Sequence, residues 1–468
     1  MRAAVASLSA PDLRGGARFL WLGSALVVLL TLYETPRQSA VMLVVPIVGI
    51  GVILAVRSLA WPLGVVSGAT LISLLAAGNL PKGGTVAAYT AWLVFGLLVT
   101  MIRRDRMHPP LRLVLDFSAA GTIALAVLML ARLPASGDYA YGLSKVELFL
   151  LVGVVPYVVG IVVGYVRGDM ELFFRVYVFM AVAAAVYNTF LIATGAANRQ
   201  FSARYSIGAT VDVIGLGRTM GEIALILLFL LVRATTLRRR LVICAALAPV
   251  AIAFVSSGSR GPVIGLAVAL PSVMLWKAAS PAMARRLAWS MLAVGALAVV
   301  AVVALVPPEA TQRSLSIFQT THETGDTSRL VLWGEAITAF SSDLTHTLIG
   351  VGTGGYASLA TTGADYPHNI VLEVGSELGV LGLLALAVFV VSVFVRLLRL
   401  VAGGGEDAGW SGLLLTLFVF SLVNAQFSGD IPYNSGLWLW GGMASGLAAA
   451  ARAGVHRRGP RDVARQRS

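Results

Sequence analysis

Long apolar runs separated by short polar breaks make up almost the whole chain, and one polar stretch, 307–368, interrupts that rhythm. The runs fall at approximately 18–33, 39–56, 58–78, 85–102, 113–132, 148–166, 175–194, 219–232, 241–256, 262–276, 287–306, 369–395, 410–427 and 434–451. Most approach the ~20 residues a helix needs to cross about 30 Å of hydrocarbon. They are continuously apolar, whereas a barrel strand alternates lipid-facing with lumen-facing residues, so the pattern predicts helices. The expected fold is all-α: a polytopic membrane helix bundle of about 12–14 spans with one long outside loop. Four units follow: an N-terminal transmembrane bundle over 1–306, the loop over 307–368, C-terminal transmembrane helices over 369–451, and a basic tail over 452–468.

Composition agrees with a bilayer solvent. Of 468 residues 58% are hydrophobic and 12% charged, and the mean hydropathy of +0.85 lies far outside the soluble range. Lysines and arginines set the orientation. With the N-terminus inside, the inside loops collect Arg103, Arg104, Arg106 and Arg112, then Arg233 and Arg238 to Arg240, then Lys277, Arg285 and Arg286, then Arg396 and Arg399. The tail adds Arg452, Arg457, Arg458, Arg461, Arg465 and Arg467, so both termini are expected to be cytoplasmic. This bias explains most of the net charge of +13, which is therefore a topology signal, and no nucleic-acid partner is expected. The first apolar run lacks a small-residue cleavage site and reads as a transmembrane helix rather than a signal peptide. The single cysteine, Cys244, excludes an internal disulfide.

Candidate chemistry gathers on the outside face. Arg199, Arg204 and Arg218 lie in one outside segment, Arg260 at the outer end of a span, and Arg313 and Arg329 in the long loop. Guanidinium groups bind phosphate oxygens bidentately and stay charged, so an anionic ligand would account for cations that run against the inside bias. The alternative for each is snorkelling to headgroups or pairing with a carboxylate such as Asp212 or Asp326. Within the loop, Thr327 or Ser328 is placed to cap a helix with Leu330, Trp333, Ile337 and Phe340 at helical spacing, which sets Arg329 in the first turn. Such a helix would lie on the membrane surface.

His368 follows Pro367 where the next helix is expected to begin, a place where free N–H groups favour a negative group. It suits a base or hydrogen-bond partner beside a phosphate, or a structural histidine at the interface. Asn369, Glu373 and Glu377 share one helix face; Glu373 is about one turn in, and the deeper Glu377 is expected to pair with an arginine. Glu222 raises the same question within its span, and Asp430 lies in the last outside loop. The Gly350-x-Gly352-x-x-Gly355 spacing lacks the βαβ context of a dinucleotide site and suits a tight backbone path beside a neighbouring helix or glycan. Carboxylates are too few on this face for a convincing metal site, and neither metal nor cofactor is expected.

Three pieces in order, Ser259-Arg260-Gly261, then Arg329 with Trp333 and Leu348-Ile349-Gly350-Val351-Gly352, then His368-Asn369 with Glu377, Gly379 and Gly382, resemble the O-antigen ligase and polysaccharide polymerase superfamily of the bacterial cell envelope. The likeness covers roughly 255–385, with Thr347 where the family commonly has proline. The resemblance implies metal-independent glycosyl transfer at the periplasmic face of the inner membrane. The donor would be a glycan on undecaprenyl diphosphate, and the acceptor either the lipid A core of lipopolysaccharide or a second lipid-linked glycan. By position within the motifs it further implies His368, Arg260 and Arg329 as catalytic residues, the arginines as diphosphate ligands and His368 as the catalytic or acceptor-side residue, with Arg204 and Asp430 carried over on loop position; Arg218 and Glu373 are expected to bind substrate from their own place on the outside face and at the helix start. A flippase or other transporter of lipid-linked oligosaccharide shares the hydropathy, but the internal repeats and interrupted helices common in transporters are not visible in the sequence.

Overall fold

The computed structural model describes residues 58–67, 90–98, 115–195, 198–200, 204–206, 213–272, 324–404 and 407–454. The expected spans at 18–33, 39–56 and 287–306, and the tail beyond 454, lie outside the described residues. The protein is an all-α, multi-pass membrane protein. Among the described residues, seven helices are long and apolar enough to cross a bilayer: Phe117–Ala135, Tyr139–Tyr165, Arg167–Ala193, Val213–Arg233, Leu237–Ser256, Ile370–Gly403 and Asp407–Asn424.

After the short α1 (Ala60–Ser67) come α2 (Phe117–Arg132) and α3 (Tyr139–Leu148), started by Asp116 and Asp138, each of which accepts backbone N–H bonds of the first turn. A π-helical turn over Phe149–Val154 joins α3 to α4 (Val155–Tyr165), followed by α5 (Arg167–Ala193). A two-stranded hairpin, β1 (Asn198–Gln200) and β2 (Arg204–Ser206), leads into α6 (Val213–Arg233), α7 (Leu237–Ser256) and α8 (Arg260–Ala269). The described part of the long polar stretch is helical: α9 (Thr324–Ser341), α10 (Leu344–Ile349) and α11 (Gly355–Leu359). Last come α12 (Ile370–Gly403), α13 (Asp407–Asn424) and α14 (Ser435–Ala453).

Three departures from the sequence pattern have local causes. First, α9 begins at Thr324, a turn before the expected cap, because intrinsic propensity is a weak prior; Arg329 therefore sits in its second turn. Secondly, its buried face is Leu332, Ala336 and Ala339, while Leu330 and Ile337 of the expected stripe are exposed. Thirdly, α12 starts at Ile370 with Asn369 as its cap, so His368 precedes the helix rather than opening it.

α12 is broken at Gly379, which has φ 66°. A break frees carbonyls upstream, and an apolar interior requires them to be satisfied. The loop after α10 does this: Val351 N–H donates to the Ser376 carbonyl (2.8 Å) and Gly352 N–H to that of Glu377 (3.1 Å). Gly350 and Gly352 also have positive φ, and a Cβ on Gly350 would overlap the Glu377 backbone, so the neighbour that these glycines admit is α12.

Two ends of the bundle follow from cross-helix contacts. At one, Ile370 N–H donates to the Ala425 carbonyl and Arg218 of α6 reaches the carbonyls of Asn424 and Ser428. At the other, Arg396 of α12 pairs with Asp116 (2.7 Å) and hydrogen-bonds Ser445.

Among the described residues the most extensive helix pairing is α4 with α14, through Gly160 and Gly164 on one and Gly442 and Gly446 on the other. A Cβ at Gly442 would overlap the Tyr157 carbonyl and one at Gly446 that of Ile161. Gly442→Val is expected to destabilise the bundle by about 1–3 kcal/mol through overpacking. Thermal unfolding in detergent would show this, and an unchanged midpoint would contradict the packing described.

Candidate functional site

The loop between α13 and α14 is the meeting place of the elements at the Arg218 end of the bundle. Asn369 caps α12 by accepting from Val371 and Leu372 N–H, while its own amide donates to the Gln426 carbonyl (3.3 Å). Arg260 opens α8; its neighbour Gly261 lies against Phe427, and Ser259 Oγ donates to the Val213 carbonyl at the start of α6 (3.1 Å). Arg218 crosses from α6 to the Asn424 carbonyl at 3.1 Å. His368, Arg260, Arg218 and Asp430 are thus drawn to one loop by helices far apart in sequence. Arg204 lies in β2 opposite Gln200, and β2 packs on α6 and α7.

His368 has φ 57°, the one positive value among the described non-glycine residues. Histidine tolerates this region better than most side chains, and such conformers persist where the surroundings over-determine them. The Tyr366 ring stands edge-on at 4.4 Å. Burial pushes the imidazole pKa below its usual 6.5, and the Arg329 charge pushes the same way. The ring is therefore neutral at pH 7, with a buried Nδ1 that has no hydrogen-bond partner among the described residues. A neutral imidazole carries a free nitrogen lone pair, which is what a proton acceptor needs.

Tyr366 and Arg218 line one cavity of about 700 Å3, together with Asn424, Tyr433 and Asn434 of the loop region. At its wall, Glu222 accepts from Tyr177 Oη (2.6 Å), Trp440 Nε1 (3.1 Å) and Ser421 Oγ (3.2 Å). The cavity therefore joins a guanidinium at the bundle end to a mostly apolar interior, a combination suited to an amphipathic anion.

Behind the site lies a charge cluster centred on a residue that sequence reasoning missed. Lys145 of α3, 1% exposed, is 2.5 Å from Glu373 and 2.6 Å from Glu377, both fully buried. The partner of Glu377 is thus a lysine from α3 and not an arginine, because Glu377 shares a helix face with Glu373, four residues earlier, and that face meets Lys145. Glu377 also accepts from Gly354 N–H (2.9 Å), and Glu373 from Ile431 N–H (3.3 Å). Asp430 is 4% exposed and caps the turn at Tyr433 N–H (2.9 Å); burial raises its carboxyl pKa, opposed by the charges of Lys145 and Arg218. Glu373 and Asp430, expected to meet substrate, are therefore enclosed, and they fix the loop that the arginines approach. The signal available in the sequence was an outside lysine three residues before an apolar run, opposite two helix carboxylates that need a cation.

A bundle of membrane helices with arginines and a histidine gathered at one end defines an integral-membrane protein. Comparison with known families gives the particular relationship: residues 245–387 match the O-antigen ligase family model, the likeness that the motifs suggested. That segment contains Arg260, Arg329, His368, Glu373 and Glu377, whereas Lys145, Arg218 and Asp430 lie outside it. No curated protein matches the chain.

Two outcomes follow from this geometry. Lys145→Met leaves two buried carboxylates without their cation and is expected to destabilise the protein by about 3–5 kcal/mol, visible in thermal unfolding. Wild-type stability would mean that the carboxylates are compensated elsewhere. Arg329→Gln removes one of the two influences on His368, and its pKa should rise toward 6.5 when followed by NMR of 13C-labelled histidine. An unmoved titration would separate the two residues.

Proposed function

We propose that the protein is a metal-independent glycosyltransferase that moves a glycan from undecaprenyl diphosphate to an acceptor hydroxyl at the periplasmic face of the bacterial inner membrane, as an O-antigen ligase or polysaccharide polymerase. The carrying observation is the neutral, conformationally restrained His368, under the charge of Arg329 and against Tyr366, a ring that lines one cavity with Arg218. Its place within the segment that matches the O-antigen ligase family model supports the same reading.

In this reaction His368 takes the proton of the acceptor hydroxyl as its oxygen bonds to the anomeric carbon. The bond from that carbon to the diphosphate oxygen breaks, and the electron pair leaves with the diphosphate. Negative charge grows on the leaving group in the transition state, so cations fixed at that position lower the barrier. Arg260 and Arg329 fill that role, with Arg218 and Arg204 on the donor side. Glu373 and Asp430 act from behind by holding the loop. With the inner-face arginines in the cytoplasm, this end of the bundle faces the periplasm and both termini are cytoplasmic.

Arg260→Ala and His368→Asn, the latter compatible with a positive φ, should each lower transfer by about 100-fold or more without removing the protein from the membrane. The assay is purified protein with a lipid-linked glycan alone, then with lipid A core. A ladder of lengthening chains identifies a polymerase, and transfer only on adding lipid A core identifies a ligase. Inactivity of the wild type with both acceptors would overturn the enzyme reading in favour of a transporter, and full activity of both variants would overturn the site.

A further inference from the structure

At the end of the bundle opposite His368, the ends of α5, α6 and α7 enclose a second hollow that the proposed chemistry does not use. Its volume is about 1020 Å3. Five arginines line it, Arg167, Arg175, Arg233, Arg238 and Arg239, against one acidic residue, Glu171. Glu171 is shared: Arg167 Nε lies at 3.6 Å and an Arg175 nitrogen at 3.7 Å. Among the residues that line the hollow, guanidinium groups thus outnumber carboxylates five to one.

The interior is the opposite in character. Phe174, Val178, Leu227, Leu230 and Ile243 form an apolar wall, and the Trp410 ring closes it, stacked on Phe174 with centroids 5.5 Å apart and tilted on Phe229 at 5.3 Å. Arg233 lies over the Phe229 ring at 5.1 Å, which sets a cation at the boundary between wall and rim. A separate observation points to an oxygen-bearing ligand: Trp410 is 8% exposed, and its buried indole N–H has no acceptor among the described residues. An unsatisfied buried donor is unfavourable, and an ester or phosphate oxygen entering the hollow would remove the deficit.

A basic rim above an apolar slot between membrane helices is the arrangement that holds anionic headgroups at the cytoplasmic surface. We propose that this hollow is a binding site for an anionic phospholipid, its phosphate on the arginine rim and its acyl chain along the wall formed by α5, α6 and α7. A soluble anion would use the rim and leave the wall empty. A zwitterionic lipid would use the wall and gain little from the rim. The anionic lipid alone matches both.

The test uses full-length protein purified in detergent and titrated with phosphatidylglycerol or phosphatidylcholine, with bound lipid counted by native mass spectrometry. The wild type should retain phosphatidylglycerol preferentially, and the Arg175→Gln, Arg238→Gln, Arg239→Gln triple variant should lose that preference by about fivefold per arginine removed. All three positions are exposed, so these substitutions spare the packed core. Equal retention of the two lipids by the wild type, or an unchanged preference in the triple variant, would overturn the proposal. Brominated phosphatidylglycerol supplies a second arm: it should quench tryptophan fluorescence, and Trp410→Phe should remove part of that quenching. Quenching that Trp410→Phe leaves intact would place the lipid elsewhere.

Discussion

The end of the bundle that holds His368 depends on one buried ammonium group. Lys145 draws two carboxylates of α12 onto α3, and each carboxylate also accepts a backbone N–H from a different loop. Taking three charges out of water is unfavourable unless geometry and hydrogen bonds compensate. Here the compensation is distributed over the loop after α10 and the loop after α13, so neither can shift without leaving a charge exposed to an apolar interior. His368 lies less than two turns from this anchor along the chain, and Asp430 is the residue before Ile431, which the anchor holds directly. The position of the site therefore follows from a cluster that itself faces no solvent.

The break at Gly379 belongs to the same logic. A continuous helix would have used the Ser376 and Glu377 carbonyls internally and left the Gly350–Gly352 loop with nothing to bond. Interrupted, it presents these carbonyls sideways, and the loop closes against them with the two positive-φ glycines that the approach demands. The short helical segment before the break carries Glu373 and Glu377, and the long one after it crosses the bundle to Arg396.

Legibility in the sequence divides along physical lines. Spans such as 369–395 and 410–427 were readable because a bilayer imposes a composition on every residue that crosses it. Arg260, Arg329 and His368 stood out because cations and a histidine on the face expected to lie outside run against the charge bias of the sequence. Lys145 did not, since its reason for being there lies 232 positions away at Glu377, and a lone lysine near the end of an apolar run resembles any interfacial residue. The positive φ of His368 was also hidden, because it is imposed by tertiary contacts. The helical period of α9 was visible, but which of its faces is buried depended on α11 and α12 docking against Leu332, Ala336 and Ala339.

The joint at Gly379 has a consequence for life in a real bilayer. Membranes vary in thickness, and a crossing helix adapts by changing its tilt. A rigid rod running from His368 to Arg396 would carry every such adjustment into the site as a displacement. With the segment before the break held by Lys145, and Gly379 itself packed against the backbone of Leu348 and Ile349, protein contacts fix both sides of the joint. The site is therefore set in the protein's frame rather than the membrane's.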